Sequence, residues 1–193
     1  MKSLGLKYLF IIIVPILLTA QNRERWKNPE AILDSIGIKK GMIIGEIGAG
    51  DGYFTFKMVD RIGREGHIYA NDILASELDK IDKKCREKGI TNITTILGET
   101  DDSLLPKDTL DMIIMVYVFH HIENPVLFLN NLRHRLKPAT PVVIIERDPE
   151  RSDIIYNHFY KRDKILNLAH KANYKTEKIY TFLKRDNIYI FVP

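Results

Sequence analysis

An apolar run, Met42 to Ile47, passes directly into Gly48-Ala49-Gly50-Asp51-Gly52, and a helical segment follows from about Tyr53 to Ile62. The run has no alternation of apolar and polar residues, so both of its faces must meet apolar neighbours, as in a strand inside a parallel sheet. Parallel strands cannot be joined by tight turns; they need crossover connections, usually helices. The sequence around the run supplies them. Asn28-Pro29 pairs a capping side chain with proline at a first helical position, and Glu30 to Ile36 forms a short helix stopped at Gly37. His67 to Asp72 is a second strand, and Ala75 to Lys88 a second long helix closed by Gly89. Ile93 to Leu97 is a third strand. After a polar loop, Gly98 to Thr109, the most apolar strand runs from Leu110 to Val118.

Asn124-Pro125 opens another helix that ends near Arg135, ahead of Lys137-Pro138. Pro141 to Glu146 is a fifth strand, and a helix spans about Lys161 to Lys171. The end of the chain breaks the pattern: Tyr174 to Leu183 and Asn187 to Val192 are joined by a link short enough for an antiparallel hairpin. Five strand–helix alternations and a closing hairpin specify an α/β doubly wound sheet with one reversed strand near an edge. At 193 residues the chain has room for one such domain.

The N-terminus reads differently. Lys2 and Lys7 precede an unbroken apolar run, Tyr8 to Leu18, followed by Thr19, Ala20 and Gln21. A basic start, a short apolar centre and a small residue at its end describe a secretory signal peptide. The run is shorter than a spanning helix needs, and Leu18 stands where a small residue is preferred for cleavage after Ala20. The expected organisation is a signal peptide or membrane anchor over residues 1–20 and one domain over 21–193. The expected location is exported or membrane-attached, facing the cytoplasm if the leader is retained. A net charge of +4, without basic runs interleaved with aromatics, gives no footprint for nucleic acid. The single cysteine, Cys85, excludes an internal disulfide and a multi-cysteine zinc site.

Ligands of open α/β sheets sit beyond the carboxyl ends of the strands, where the glycine turn lies. Gly48 and Gly50 let the backbone approach a ligand without a Cβ in between. A dinucleotide site calls for G-x-G-x-x-G, but the third glycine position holds Tyr53 and the motif reads G-x-G-x-G through Gly52. Glu46 also precedes the first glycine. A carboxylate repels a pyrophosphate and attracts a sulfonium or an ammonium group, so the charge pattern favours a ligand with a cationic end. Asp72, about 20 residues on, ends the second strand where a carboxylate can bond both hydroxyls of a ribose. Its rival role is to cap the helix from Ala75, which Asn71 could serve instead. Gly98-Glu99 ends the third strand, and one of Glu99, Asp101 and Asp102 is expected on the edge of an adenine.

Gly41 to Thr55, His67 to Asp72, Leu97-Gly98-Glu99, Val118-Phe119-His120-His121-Ile122-Glu123-Asn124-Pro125 and Leu136-Lys137-Pro138 together resemble the class I methyltransferases dependent on S-adenosylmethionine (SAM). The similarity covers about Asn28 to Val192. It implies a Rossmann-like sheet of seven strands with the last antiparallel, and SAM over Glu46, Gly48, Gly50 and Gly52. It also places Asp72 on the ribose and Glu99 near the adenine. The family usually has two glycines after Leu136-Lys137-Pro138, where this chain has Ala139-Thr140.

Methyl transfer from a sulfonium depends chiefly on alignment, with a base required only for a protonated acceptor. The candidates for that base are Tyr117, His120 and His121. Adjacent histidines on a regular strand cannot share one ion, so no metal is expected. Trp26 with Arg23 and Arg25 is a candidate lid, Arg147-Asp148-Pro149 a candidate wall of the acceptor pocket, and Tyr53 and Phe54 are expected to pack beneath the cofactor. The acceptor is expected to be a small or lipid-like molecule, with membrane association through the leader. The alternatives are a SAM-binding protein without catalysis and a nicotinamide-dependent oxidoreductase, which would leave Glu46 without a role.

Overall fold

The computed structural model describes residues 28–151 and 158–193. The leader over residues 1–20 and the candidate lid at Arg23, Arg25 and Trp26 lie outside the described residues. Among those described, no helix is long and apolar enough to cross a membrane.

The chain opens with helix α1 (Pro29–Ser35), where the Asn28 side chain accepts from the Ala31 amide and Pro29 starts the first turn. Strand β1 (Ile43–Ile47), α2 (Tyr53–Ile62), β2 (His67–Asp72), α3 (Ala75–Lys88), β3 (Ile93–Leu97) and β4 (Met112–Val116) follow in order. A single 3₁₀ turn (Phe119–His121) leads to α4 (Pro125–Arg133) and β5 (Val142–Arg147). The chain then forms α5 (Arg162–Lys171), β6 (Lys175–Tyr180) and β7 (Asp186–Val192).

The seven strands form one sheet in the order β3-β2-β1-β4-β5-β7-β6. Strands β1 to β5 pair in parallel, and β7 runs antiparallel to both β5 and β6. The reversed strand thus lies one place in from the edge. The strand order changes direction between β1 and β4, the switch point at which such sheets open a crevice.

Burial explains the unpatterned strands. Ile113 and Met115 of β4 pack into a core with Leu105, Phe119, Phe128 and Leu132. Met112 and Ile114 of the same strand face a second core with Ile32, Leu33, Met58 and Ile62. Each fully buried aliphatic side chain of this kind contributes about 1.5–3 kcal/mol. Both faces of β4 are covered, so its apolarity has no period of two.

Two expectations change. The fourth strand ends at Val116, not Val118, because Tyr117 takes a left-handed backbone with φ 55°. Leu110 is buried yet lies outside the strand. The hairpin is also shorter on its first arm, β6 ending at Tyr180, and a register shift interrupts the pairing between Thr176 and Lys178.

Candidate active site

The turn after β1 is built around one close approach. Gly48 has φ +72°, and a Cβ there would come within 2.5 Å of a Val118 methyl. Any side chain at this position would fill the space between the β1 and β4 tips. Gly52 serves a different purpose: a Cβ there would meet the Phe56 ring and Ile81, so it lets α2 start close against α3. Gly50 has open space around its Cβ position, and its amide donates to Asp72 Oδ2 at 2.9 Å.

Two hollows meet at Gly48. One, of 160 Å³, is rimmed by Asp72 and Glu99 and walled by Val118, His121, Ile122 and Phe128. The other, of 290 Å³, is lined by Glu46, Ala49, Asp51, Tyr53 and Phe54. A larger hollow of 610 Å³ includes Asp60, Arg64, Lys88 and Asn92, but it lies at the opposite end of the sheet, ahead of β3 and away from the glycine turn.

Asp72 combines two roles that the sequence set against each other. Its Oδ1 accepts from the Leu74 amide at 3.0 Å, turning the chain into α3, while its Oδ2 holds Gly50. Asn71 does not cap α3. Its side chain is buried and donates to the Ile96 and Ser103 carbonyls at 3.2 and 2.8 Å, tying β2 to β3 and the following loop. The Asp72 carboxylate still stands on the rim of the crevice.

Of the three acids after Gly98, Glu99 alone borders the crevice. Asp102 is committed elsewhere: Arg135 binds both its oxygens at 2.6 and 2.8 Å, and this pairing holds its carboxyl below the usual range.

Glu46 is 2% exposed and accepts a hydrogen bond from the Thr55 hydroxyl at 2.5 Å. Burial pushes its carboxyl from the ordinary 4.5 to about 8, the Thr55 bond opposes this, and the charges of Asp72 and Asp51 add to it. At neutral pH the ligand-free protein therefore holds a protonated Glu46. A cation placed in the adjoining hollow favours the ionised form.

The Tyr117 hydroxyl is already engaged. It donates to Asp186 Oδ2 at 2.6 Å, and burial with the neighbouring Asp186 charge raises its ionisation further beyond reach. The bond instead fastens a bulky residue in a left-handed conformation that costs on the order of 1–2 kcal/mol.

The two histidines diverge. The His121 ring borders the crevice, and burial together with His120 keeps its pKa below the ordinary value. His120 turns toward the end of β5, where its Nδ1 lies 2.8 and 2.9 Å from the carboxylate oxygens of Glu146. The side chains of this pair are 3% and 0% exposed.

Sequence reasoning passed over Glu146. Its one local signal was a carboxylate at the tip of an otherwise apolar strand, and the β4–β5 pairing brings it to His120. Arg147 lies beside it with its guanidinium over the Tyr117 and Phe159 rings. The Asp148 side chain accepts from Asn187, tying the end of β5 to β7. Among the described residues, no group of three or more metal-ligating side chains is present.

A family model described as "Methyltransferase domain" matches residues 38–187. The crystal structure of a SAM-dependent methyltransferase from Aquifex aeolicus superposes with a TM-score of 0.82 at 24% identity, covering 88% of this chain and 91% of that one. Demethylmenaquinone methyltransferase of Bacillus velezensis is 21% identical over 169 residues, which is 87% of this chain and 72% of that protein. Ubiquinone/menaquinone biosynthesis C-methyltransferase UbiE of Idiomarina loihiensis is 26% identical over 115 residues, 59% of this chain; the match spans 46% of that protein, so the chain meets only about half of that relative's length. With a switch-point crevice whose glycine cradle and carboxylate rim suit a cationic nucleoside, the chain belongs to the methyltransferase-domain family of SAM-dependent class I enzymes.

Proposed function

We propose that this protein transfers a methyl group from SAM to a small, apolar, ring-bearing acceptor of the quinol type. The observation that carries the reading is the pair of carboxylate-rimmed hollows meeting at Gly48. Asp72 and Glu99 would hold the ribose and adenine in one hollow; Glu46 and Asp51 would face the cationic amino-acid end in the other. When bound, SAM supplies a methyl carbon already activated by its sulfonium leaving group. The protein's work is then to orient the acceptor, exclude water and place a base where the acceptor carries a proton.

Two features support the acceptor class. Several of the matched relatives act, by their names, on ubiquinone or menaquinone precursors. Ile73, Leu74 and Leu97 are large apolar residues left more than half exposed at the β2 and β3 tips, beside the crevice. The leader fits the same picture: residues 1–20 act as an export signal or, if retained, as an anchor that keeps the domain on the cytoplasmic side, where SAM is made. Cell fractionation tests this, and full-length protein in the soluble cytoplasm refutes it.

The reading itself is tested with purified full-length protein, SAM carrying a labelled methyl group, and a cell extract. Label entering an apolar small molecule is the expected result. SAM bound without any label transferred would make the chain a cofactor-binding protein. Tight binding of NAD with indifference to SAM in calorimetry would overturn the reading.

A further inference from the structure

Glu46 stands on β1 with the buried Ala70 of β2 on one side and the buried Ile114 of β4 on the other, the partners that the sheet register gives it. The residue is 2% exposed, and among the described residues the one side-chain hydrogen bond it has is that which Oε2 accepts from the Thr55 hydroxyl. Thr55 is itself wholly buried in the first turn of α2. The ionisable groups that face Glu46 are Asp72 at the tip of β2, Asp51 in the glycine turn, and Tyr53, which opens α2 and lines the same hollow. From β4 the hollow is lined by the apolar Val116. Both facing charges are negative, and a buried carboxylate without a cation is costly.

These surroundings keep a proton on Glu46 in the ligand-free protein, in line with a carboxyl pushed up to about 8. They also say what would remove it. Glu46 lines the 290 Å³ hollow together with Asp51, Tyr53 and Phe54, so a cation seated there supplies the partner that the fold withholds. A charge of opposite sign favours the ionised form, and the carboxylate so formed can only accept hydrogen bonds. The Thr55 hydroxyl already stands at Oε2 to donate one. The first turn of α2, which carries Thr55, also presents the positive end of a helix. Thr55 lines neither of the hollows that meet at Gly48, so it acts on a ligand only through Glu46.

We propose that capture of the cationic cofactor expels a proton from Glu46, and that Thr55 is the positioning residue that holds the carboxylate left behind. The inference rests on the methyltransferase reading above. In the step, the Glu46 O–H bond breaks, its electron pair stays on the carboxylate, and the proton passes to solvent; nothing is oxidised or reduced. The complex carries one proton fewer than the free protein, so raising the pH favours it. Affinity therefore climbs with pH until the free carboxyl has itself ionised, at about 8, and levels beyond that.

The test begins with the full-length chain labelled with ¹³C at its glutamate carboxyls, with Glu46→Gln to assign the signal. In the ligand-free protein the Glu46 carboxyl is expected to titrate at about 8; a carboxylate already ionised at pH 6 overturns the proposal before any cofactor is added. Calorimetry of SAM at pH 7 follows, in phosphate and in Tris, whose heats of protonation differ. The unaltered protein is expected to release about one proton per SAM bound, a release absent from Glu46→Gln. From pH 5.5 to 7.5 its affinity should rise about tenfold per pH unit relative to that variant. Thr55→Val keeps the shape and loses the hydroxyl. It should raise the Glu46 midpoint by about one unit and weaken SAM at pH 7 about tenfold, the scale of a hydrogen bond to a charged group; Thr55→Ser should restore both. A weakened Thr55→Val with the Glu46 midpoint unmoved makes Thr55 a packing residue and overturns its role. SAM bound with no proton released strikes the inference alone, whereas no binding by the unaltered protein strikes the methyltransferase reading and takes the inference with it.

Discussion

Replacing Glu46 by Gln isolates the cost of burying a carboxyl at the centre of the site. The Glu46 carboxyl is 2% exposed, with the Thr55 hydroxyl on one oxygen and the charges of Asp72 and Asp51 nearby. Its pKa rises from the ordinary 4.5 to about 8 on folding. Between those values the folded chain keeps a proton that the unfolded chain has lost. Unfolding therefore releases a proton, and stability must fall as pH rises through that window. The slope is about 1.4 kcal/mol per pH unit, which accumulates to about 5 kcal/mol once pH passes 8. Gln is neutral throughout, matches the protonated acid in shape, and its carbonyl can accept from Thr55. The unaltered protein and Glu46→Gln should thus have similar stability near pH 4.5, and the variant should gain steadily to about 5 kcal/mol above pH 8. Urea denaturation at half-unit steps from pH 5 to 8.5, without ligand, measures the difference directly. Parallel stability curves for the two proteins would refute the reasoning, because a group ionised in both states contributes no such slope. The same variant should bind SAM more weakly at pH 8, where the carboxylate that would face a cation is gone.

Three further outcomes follow from the geometry. Asp72→Ala removes a charged rim group and two backbone contacts; SAM affinity should fall by about 1–3 kcal/mol in calorimetry, the scale of a lost hydrogen bond to a charged group. Gly48→Ala puts a Cβ against Val118 in a left-handed conformation, so thermal denaturation should show a loss of about 1–3 kcal/mol; trimming Val118 to Ala in the same chain should recover part of it. Tyr117→Phe removes the hydroxyl bound to Asp186 and should cost about 1.5–3 kcal/mol of stability in urea.

The middle of the chain shows where local signals suffice. The observed bounds of α2, β2, α3 and β3 coincide with those expected from the sequence, because each is closed by a residue with a strong backbone preference or change of pattern, such as Gly63 and Gly89. The far end of β4 was less legible. Continuous apolarity from Leu110 to Val118 reports burial, and burial does not distinguish strand from turn. The left-handed Tyr117 that ends the strand is held by Asp186, 69 residues away, and a local pattern cannot contain that contact. Asn71 is a similar case: an amide ahead of a helix reads as a cap, until the β3 and loop carbonyls prove to be its partners.

By itself the sequence determined the parallel sheet, the place of the switch point, the glycine cradle and the acids at the strand tips. Those properties are carried by short runs whose backbone and charge preferences act over a few residues. Tertiary structure alone decided how the polar groups divide their labour: Asp102 is drawn to Arg135, Tyr117 to Asp186, and His120 to Glu146. Each of those pairs joins residues 26 or more positions apart. A buried charge takes whichever partner the sheet register delivers, and that register is a property of the assembled core.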